Sequence, residues 1–504
     1  MMRRKILGLI LILLMLFNVT VATASTFSMA GFDGQDSSHV WAENLFFTRM
    51  LEVTGTSFTF SEYTDQAKWQ AAKEAMFTGG PLPDVLFKAA LSVDEQQRYS
   101  DTGQLIDLKP LLAQNAPNLW ALLTANPEWM AAITLPNGKI AALPTINTLS
   151  LQNAMWINQT WLDALQLPMP TDFESLRSVL EAFQTQDPNR NGKQDEIPLS
   201  FLGSWDLKFL GHAFGLAASD YNIYVDEQGQ VRFLPTEDRF IDFIKALTAM
   251  YQDGLLDKDG FSTADSLRAV SDSNATVTYG VFFGPNPYHL FTVDLGDQFT
   301  LLQPLSFNGK QIYRDLFGPI ITGTFAITSA CADPGEALRW VDQLYTQEGS
   351  IAAMAGKEGE DYLWNEEGTW GYTADLQVDS SYVLYDLSLY DTGSMPWLFP
   401  ESFYAAYDIG NLRKTTQSLV DLKQTLVDPF PYYYVLSNQQ RMQIEPLQAE
   451  LGRFVDESIA RFMLGETDIN AQADVDAFRQ GLAERGVQEF LNIWQELYDQ
   501  QRIR

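Results

Sequence analysis

The chain is poor in the residues that usually carry covalent or metal chemistry. Its one cysteine, Cys331, excludes an internal disulfide framework and a multi-cysteine metal site. Flanked by Ala330 and Ala332, it is expected to be a buried, inert thiol. The three histidines (His39, His212 and His289) are scattered, and no H-E-x-x-H or G-x-S-x-G motif is present, so zincin and serine-hydrolase chemistry have no foothold. Each histidine is expected to be structural or exposed rather than catalytic. No G-x-G-x-x-G follows the first expected strand, so a dinucleotide site is not indicated. Positive charge is also scarce: 33 Lys and Arg stand against 64 Asp and Glu, a net charge of −31. Phosphates would be repelled over most of that surface, which argues against nucleic acid as a partner. Internal repeats and low-complexity linkers are absent.

What is present reads as globular. With 504 residues, 46% apolar and 19% charged, the chain exceeds what one hydrophobic core usually serves, and two lobes are expected. Arg3, Arg4 and Lys5 precede the apolar run Ile6 to Phe17, and Ala22-Thr23-Ala24 supplies a small-x-small cleavage pattern. Residues 1–24 are therefore expected to be a cleaved signal peptide, the alternative being an uncleaved anchor; either places the body outside the cytoplasm. Strands are expected at Thr26–Met29, Ser57–Phe60 and Pro83–Phe87, alternating with helices over His39–Val53 and Gln66–Thr78. That alternation implies a parallel sheet wound in α/β fashion. Asn137 to Pro144 forms a turn and extended exit, a plausible crossover to the second lobe. A strand at Met155–Asn158 and a short helix at Gln159–Leu165 follow. Thr171 with Glu174 forms a capping box opening a helix to Gln184. Further on come a helix at Phe240–Tyr251, a buried strand from Tyr279, a strand at Thr324–Thr328 that returns to the first lobe, a helix at Pro334–Tyr345 and a mostly helical C-terminal third.

The most specific local signal is D-P-N-R-N-G-K-Q-D-E-I-P, from Asp187 to Pro198. Asp187, Asn189 and Asn191 place oxygens at alternate positions, Gly192 permits the sharp turn, and Lys193 offers its backbone carbonyl. Asp195 and Glu196 add two carboxylates. Hard oxygen donors at positions 1, 3, 5, 7 and 9 around a glycine make a calcium loop. Pro198 occupies position 12, where an EF-hand needs its bidentate Glu, so Glu196 must close the shell and the ion pins a loop. The competing reading is an Asx-rich turn without metal. Asp257-Lys-Asp259-Gly260 imitates a second such loop but has no acid at its fifth position, and is expected to be a turn.

Several stretches taken together resemble family 1 extracellular solute-binding proteins of ABC importers. They are G-G-P-L-P-D-V ending at Val85, G-Q-L-I-D-L, G-K-I-A-A-L-P, W-I-N from Trp156, L-P-M-P-T-D-F, the 187–196 loop, F-A-I-T-S-A-C-A-D-P-G-E from Phe325, and G-K-E-G-E-D-Y from Gly356. The closest similarity is to the large oligosaccharide-binding members, including alginate-binding proteins. There the equivalent loop holds calcium, matching Asp187, Asn189, Asn191, Lys193, Asp195 and Glu196. The resemblance implies a periplasmic-binding-protein-like α/β fold of two lobes, a hinge and an interlobe cleft that presents sugar to an ABC permease. The implied division is an N-terminal lobe at 25–145 and about 322–375, a C-terminal lobe at 146–321, and a helical part at about 376–504 shared between them, in a monomer. Many Gram-positive members carry a lipid-attachment cysteine just after the signal; none stands near Ser25, so tethering stays open.

A sugar offers apolar C–H faces and a rim of hydroxyls, so its site needs aromatic rings with Asp, Asn, Gln or Arg at fixed angles. The candidates are Trp205 with Asp206, then Tyr288 and Trp397 in proline-flanked loops, then Trp156 and Asn158 on a strand. For each, core or hinge packing is the alternative. Against transport stand a secreted carbohydrate-active hydrolase, which needs only two carboxylates across a cleft, and a surface sensor or adhesin without a permease.

Overall fold

The computed structural model describes residues 25–149, 153–262, 277–315, 318–373, 386–389, 395–408 and 410–502. The expected signal at 1–24 lies outside the described residues. No helix among the described residues is long and apolar enough to cross a membrane.

Two separate mixed sheets organise the chain. The first has strand order Thr56–Tyr63, Ser25–Phe32, Val85–Phe87, Ile320–Ile327, Leu143–Ile146. Its first three strands are parallel, as the strand–helix alternation predicts. Ile320–Ile327 runs antiparallel to both its neighbours because it arrives from the other lobe, so the sheet is mixed rather than wholly parallel. The second sheet has the order Phe299–Leu301, Ala154–Asn158, Tyr279–Gly284, Ile197–Leu199. All six residues of Tyr279–Gly284 are buried, as expected for a central strand covered on both faces.

Helix limits follow their caps. The helix expected over 39–53 begins only at Leu45, because Asn44 accepts a hydrogen bond from Phe46 N and starts it there. His39 is instead held in the preceding turn by Asp33, Nδ1 to Oδ2 at 2.5 Å. The capping box expected at Thr171–Glu174 sits one residue later. Asp172 accepts from Ser175 N at 2.8 Å and donates its own N to Ser175 Oγ at 3.1 Å, opening Phe173–Thr185. Asp257 forms the expected turn, its Oδ1 accepting from Asp259 N at 3.0 Å.

Asp33 and Lys88 follow the carboxyl ends of two adjacent parallel strands, where the strand order reverses and an α/β sheet opens a crevice. Here the crevice is filled: Lys88 Nζ is 2.5 Å from Asp33 Oδ1 and 3.3 Å from Leu389 O, all well buried.

The segments joining the sheets run side by side. Asn147 N donates to Pro319 O at 2.8 Å, Ile146 N to Trp397 O at 2.8 Å, and Phe399 N to Ile146 O at 2.7 Å. The C-terminal helices belong with the second sheet's side: Asn438–Met463 packs on Asp238–Gln252, and Val487–Gln501 on the Val231–Phe233 strand.

Candidate functional site

Four distant stretches converge on one aromatic cavity of about 280 Å³. The turn before strand Ile223–Val225 contributes Asp220 and Tyr221. Tyr313–Arg314 pairs in parallel with Leu426–Val427, which brings Arg314 and Asp315 beside Asp428. Val225 N donates to Pro429 O at 2.9 Å and ties the proline-rich segment down. Helix Val487–Gln501 supplies Trp494, stacked on Tyr221 with centroids 5.9 Å apart and edge-on to Phe430 at 5.0 Å.

Arg314 is the cavity's buried cation. It lies 3.9 Å over the Phe209 ring, donates Nη1 to Ala218 O at 3.1 Å and stands 3.0 Å from Asp220 Oδ1. Burial shifts it below the ordinary arginine value, opposed by Asp220. Asp428 is pushed up to about 7, first by burial and then by the neighbouring Asp315.

Trp205 does not line this cavity but is bonded to a residue that does: 42% exposed, it donates Nε1 to Asp220 Oδ1 at 3.3 Å and packs edge-on against Phe209. Asp206, one residue on, points elsewhere, since consecutive helical side chains diverge by about 100°. It is 3% exposed and accepts from Asn153 Nδ2 at 2.8 Å and Leu202 N at 2.7 Å, with burial raising its carboxyl to about 6. The expected Trp205–Asp206 pair is therefore split, and Asp206 braces the loop.

Three other candidates are buried. Trp156, 1% exposed, donates Nε1 to Gly284 O at 2.9 Å inside the second sheet. Asn158, fully buried, caps helix Gln159–Leu165 by accepting from Trp161 N at 3.0 Å. Trp397, 3% exposed, is packed among the joining segments and is edge-on to Phe399 at 5.8 Å. None has surface to offer a ligand in this arrangement. Tyr288 is not among the cavity's lining residues; its hydroxyl donates to Asp297 Oδ1 at 2.9 Å.

A second opening of about 940 Å³ lies on the other side of the same 428–436 segment, between residues 127–138 of the first lobe and the C-terminal helices. The lobes touch nearby: Gln97 Nε2 donates to Leu436 O at 2.7 Å, and Arg441 is 3.0 Å from Asp94.

Sequence reasoning missed Asp220, Tyr221, Arg314, Asp315, Asp428 and Trp494. One signal was available: Pro429-Phe430-Pro431-Tyr432 is another proline-flanked aromatic run. Trp494, at helical spacing among apolar neighbours, looks like core in any sequence.

The 187–196 loop folds on itself. Asp187 Oδ1 and Oδ2 accept from Asn191 N and Gly192 N, each at 3.1 Å, and Asn191 Oδ1 accepts from Lys193 N at 2.7 Å. Gly192 is left-handed at φ 75°, where its lack of a Cβ counts. Asn191 Nδ2 donates to Asp195 Oδ1 at 2.9 Å. Among the described residues no three His, Cys, Asp or Glu side chains converge tightly enough to define a metal cluster. Glu196 nevertheless has both carboxylate oxygens buried without a hydrogen-bond partner, and burial, then Asp195 and Asp187, raise its carboxyl. A buried carboxylate with no donor fits a cation ligand.

Two further groups are shifted by burial. His212 is buried, its value pushed down to about 4 by burial, with Nδ1 2.5 Å from Phe209 O. Cys331 is half-buried rather than buried, and its thiol is pushed up to about 11.

The paired mixed sheets and the joined connecting segments are the fold of known solute-binding proteins. No protein-family model matches the chain. Its particular likeness is to the fructooligosaccharide ABC transporter substrate-binding protein FusA of Streptococcus pneumoniae, 26% identical over 500 aligned residues that cover 91% of this chain and 87% of that one. The solved structure of FusA in complex with kestose superposes with a TM-score of 0.71 at 22% identity, covering 94% of this chain and 99% of that one. An HMO-binding, ABC-transporter-associated solute-binding protein from Bifidobacterium longum infantis gives 0.76 at 23% identity, covering 94% and 98%. Alginate-binding AlgQ2, solved without calcium ion, gives 0.66 at 19% identity, covering 95% and 98%.

Proposed function

We propose that this chain captures a sugar or oligosaccharide between its lobes and delivers it, unaltered and as a monomer, to the permease of an ABC importer. The observation that carries this reading is the cavity on the second-lobe side at 220–221, 314–315, 428–432 and 494, where flat rings alternate with carboxylates and one guanidinium. Rings cover the C–H faces of a sugar and charged groups bind its hydroxyls. FusA, the sequence relative, is a fructooligosaccharide-binding protein, which supports the ligand class. Trp205, hydrogen-bonded to the cavity residue Asp220, is the sequence-derived candidate that takes part; Tyr288 is assigned to neither opening.

One lobe comprises residues 25–145 and about 322–375 and the other 146–321, with the C-terminal helices packed on the second and touching the first at Asp94 and Gln97. Residues 1–24 act as the signal that exports the chain. Calcium is held by Asp187, Asn189, Asn191, the Lys193 carbonyl, Asp195 and Glu196. The donorless Glu196 carboxylate supports this, as does a FusA EF-hand mutant among the similar structures. The ion fixes a surface loop and takes no part in sugar chemistry.

Titration calorimetry of the mature protein against kestose, maltotriose and mannotriose, followed by chromatography of the mixture, tests the function. Saturable binding with no new product is expected. Cleavage of any of these sugars would instead establish a hydrolase.

A further inference from the structure

The residues lining the aromatic cavity all lie on the second-lobe side, in segments 219–221, 314–318 and 428–436 and on helix Val487–Gln501. A ligand shifts a conformational equilibrium only through contacts that differ between the two states. A sugar held by those residues alone touches one lobe, and so has no such contact with which to draw the lobes together. The cavity is also small, about 280 Å³ against a usual ligand-pocket range of roughly 300–1,000 Å³.

The second opening, about 940 Å³, has a wall in each lobe. Pro127, Met130 and Ala131 of helix Pro127–Ala132 stand on the first-lobe side, and helices Asn438–Met463 and Val487–Gln501 on the other. One stretch of chain divides the two spaces. Residues alternate along 432–437: Tyr432, Tyr434 and Leu436 line the cavity, whereas Tyr433, Val435 and Ser437 line the opening. Tyr432 also accepts a hydrogen bond from Trp129, which ties the first-lobe helix to the cavity's edge.

The chemistry of the opening suits sugar. Five glutamines border it, and an amide both donates and accepts, as a hydroxyl does. Three have structural tasks: Gln440 caps its helix at Ser437, Gln501 holds the Val435 backbone, and Gln500 donates to Glu496 Oε1. Gln439 and Gln443, one turn apart on a single helix face and both exposed, keep their amides uncommitted among the described residues. Tyr433 adds an aromatic ring to the same lining.

We propose that this opening is the subsite that couples chain length to lobe closure. The distal units of an oligosaccharide rooted in the cavity occupy it, held by Gln439, Gln443 and Tyr433 against the first-lobe wall. A disaccharide fills the cavity and leaves the opening equilibrium where it was; a longer chain bridges the lobes. The inference rests on the reading of the cavity as the sugar site, and it names the class of sugar delivered: chains of three or more units.

The test titrates the mature protein with three series: sucrose, kestose and nystose; maltose, maltotriose and maltotetraose; mannobiose, mannotriose and mannotetraose. Calorimetry reads affinity and small-angle scattering reads closure. In a series that binds, the tetrasaccharide should bind at least about tenfold more tightly than the disaccharide. The radius of gyration should fall only with chains of three units or more. The double variant Gln439→Ala, Gln443→Ala should collapse the affinity ratio toward one and abolish the fall, with no loss of Tm because both side chains are exposed. A tetrasaccharide no tighter than its disaccharide, or a disaccharide that compacts the protein, would overturn the inference and leave the transport reading standing. A folded double variant with the wild-type ratio would overturn it equally. Failure of every sugar in all three series would bring down the transport reading itself and this inference with it.

Discussion

At the scale of single residues, exposure separates two tryptophans that sequence alone ranks together. Trp205 is 42% exposed and bonded to the cavity residue Asp220, whereas Trp397 is 3% exposed among the joining segments. Trp205→Ala is therefore expected to weaken sugar binding at least about tenfold, ~1.4 kcal/mol, with little change in Tm. Trp397→Ala, by contrast, should cost roughly 3–5 kcal/mol of stability, the usual toll of emptying a buried aromatic site. Calorimetry and thermal melts on the two variants check both statements, and a reversed pattern would exchange their roles. The reason sequence left Trp397 open between sugar contact and packing is physical. Flanking prolines restrict a loop, but they do not say whether the restricted ring faces solvent or a neighbouring segment. Asp206 parts from Trp205 for a related reason, since adjacency in sequence on a helix means divergence in space.

At the scale of elements, signals confined to a few consecutive residues were legible and those assembled across the chain were not. The strands at Ser25–Phe32 and Val85–Phe87 and the helix Gln66–Phe77 follow their patterns closely. The 187–196 loop also carries its donor spacing within ten residues. For that loop, adding calcium is expected to raise Tm, since an ion at about 100 times its Kd contributes ~2.7 kcal/mol. Chelation should reverse the gain, and Glu196→Gln should abolish most of it in differential scanning calorimetry. A wild-type melt indifferent to calcium would leave the loop an Asx-rich turn. The aromatic cavity had no comparable signature. Its walls come from residues near 220, 314, 428 and 494, and nothing in the spacing of those stretches announces that they meet. The parallel ladder of Tyr313–Arg314 with Leu426–Val427 is two residues long, too short for any periodicity to reveal.

At the scale of the whole molecule, the length and the strand–helix alternation pointed to two α/β lobes. The antiparallel return of Ile320–Ile327 became visible only in the sheet. The lobes are in contact through Asp94–Arg441 at 3.0 Å and Gln97 to Leu436 at 2.7 Å. A partly exposed pair of this kind contributes ~0–1 kcal/mol, enough to bias an opening equilibrium but not to lock it. Small-angle scattering should show the radius of gyration of wild-type protein falling when a bound trisaccharide saturates it. Arg441→Ala should start more extended and need a few-fold more sugar to reach the same compact state; identical scattering with and without saturating sugar would rule out closure. The mutual hydrogen bonds of Asn147 with Pro319 and of Ile146 with Trp397 and Phe399 bear on how that movement proceeds. Strips of backbone laced edge to edge resist shear and twist but flex easily across their flat face. A closure hinged there would be confined to a single arc, so that sugars of different length would leave the same outer silhouette.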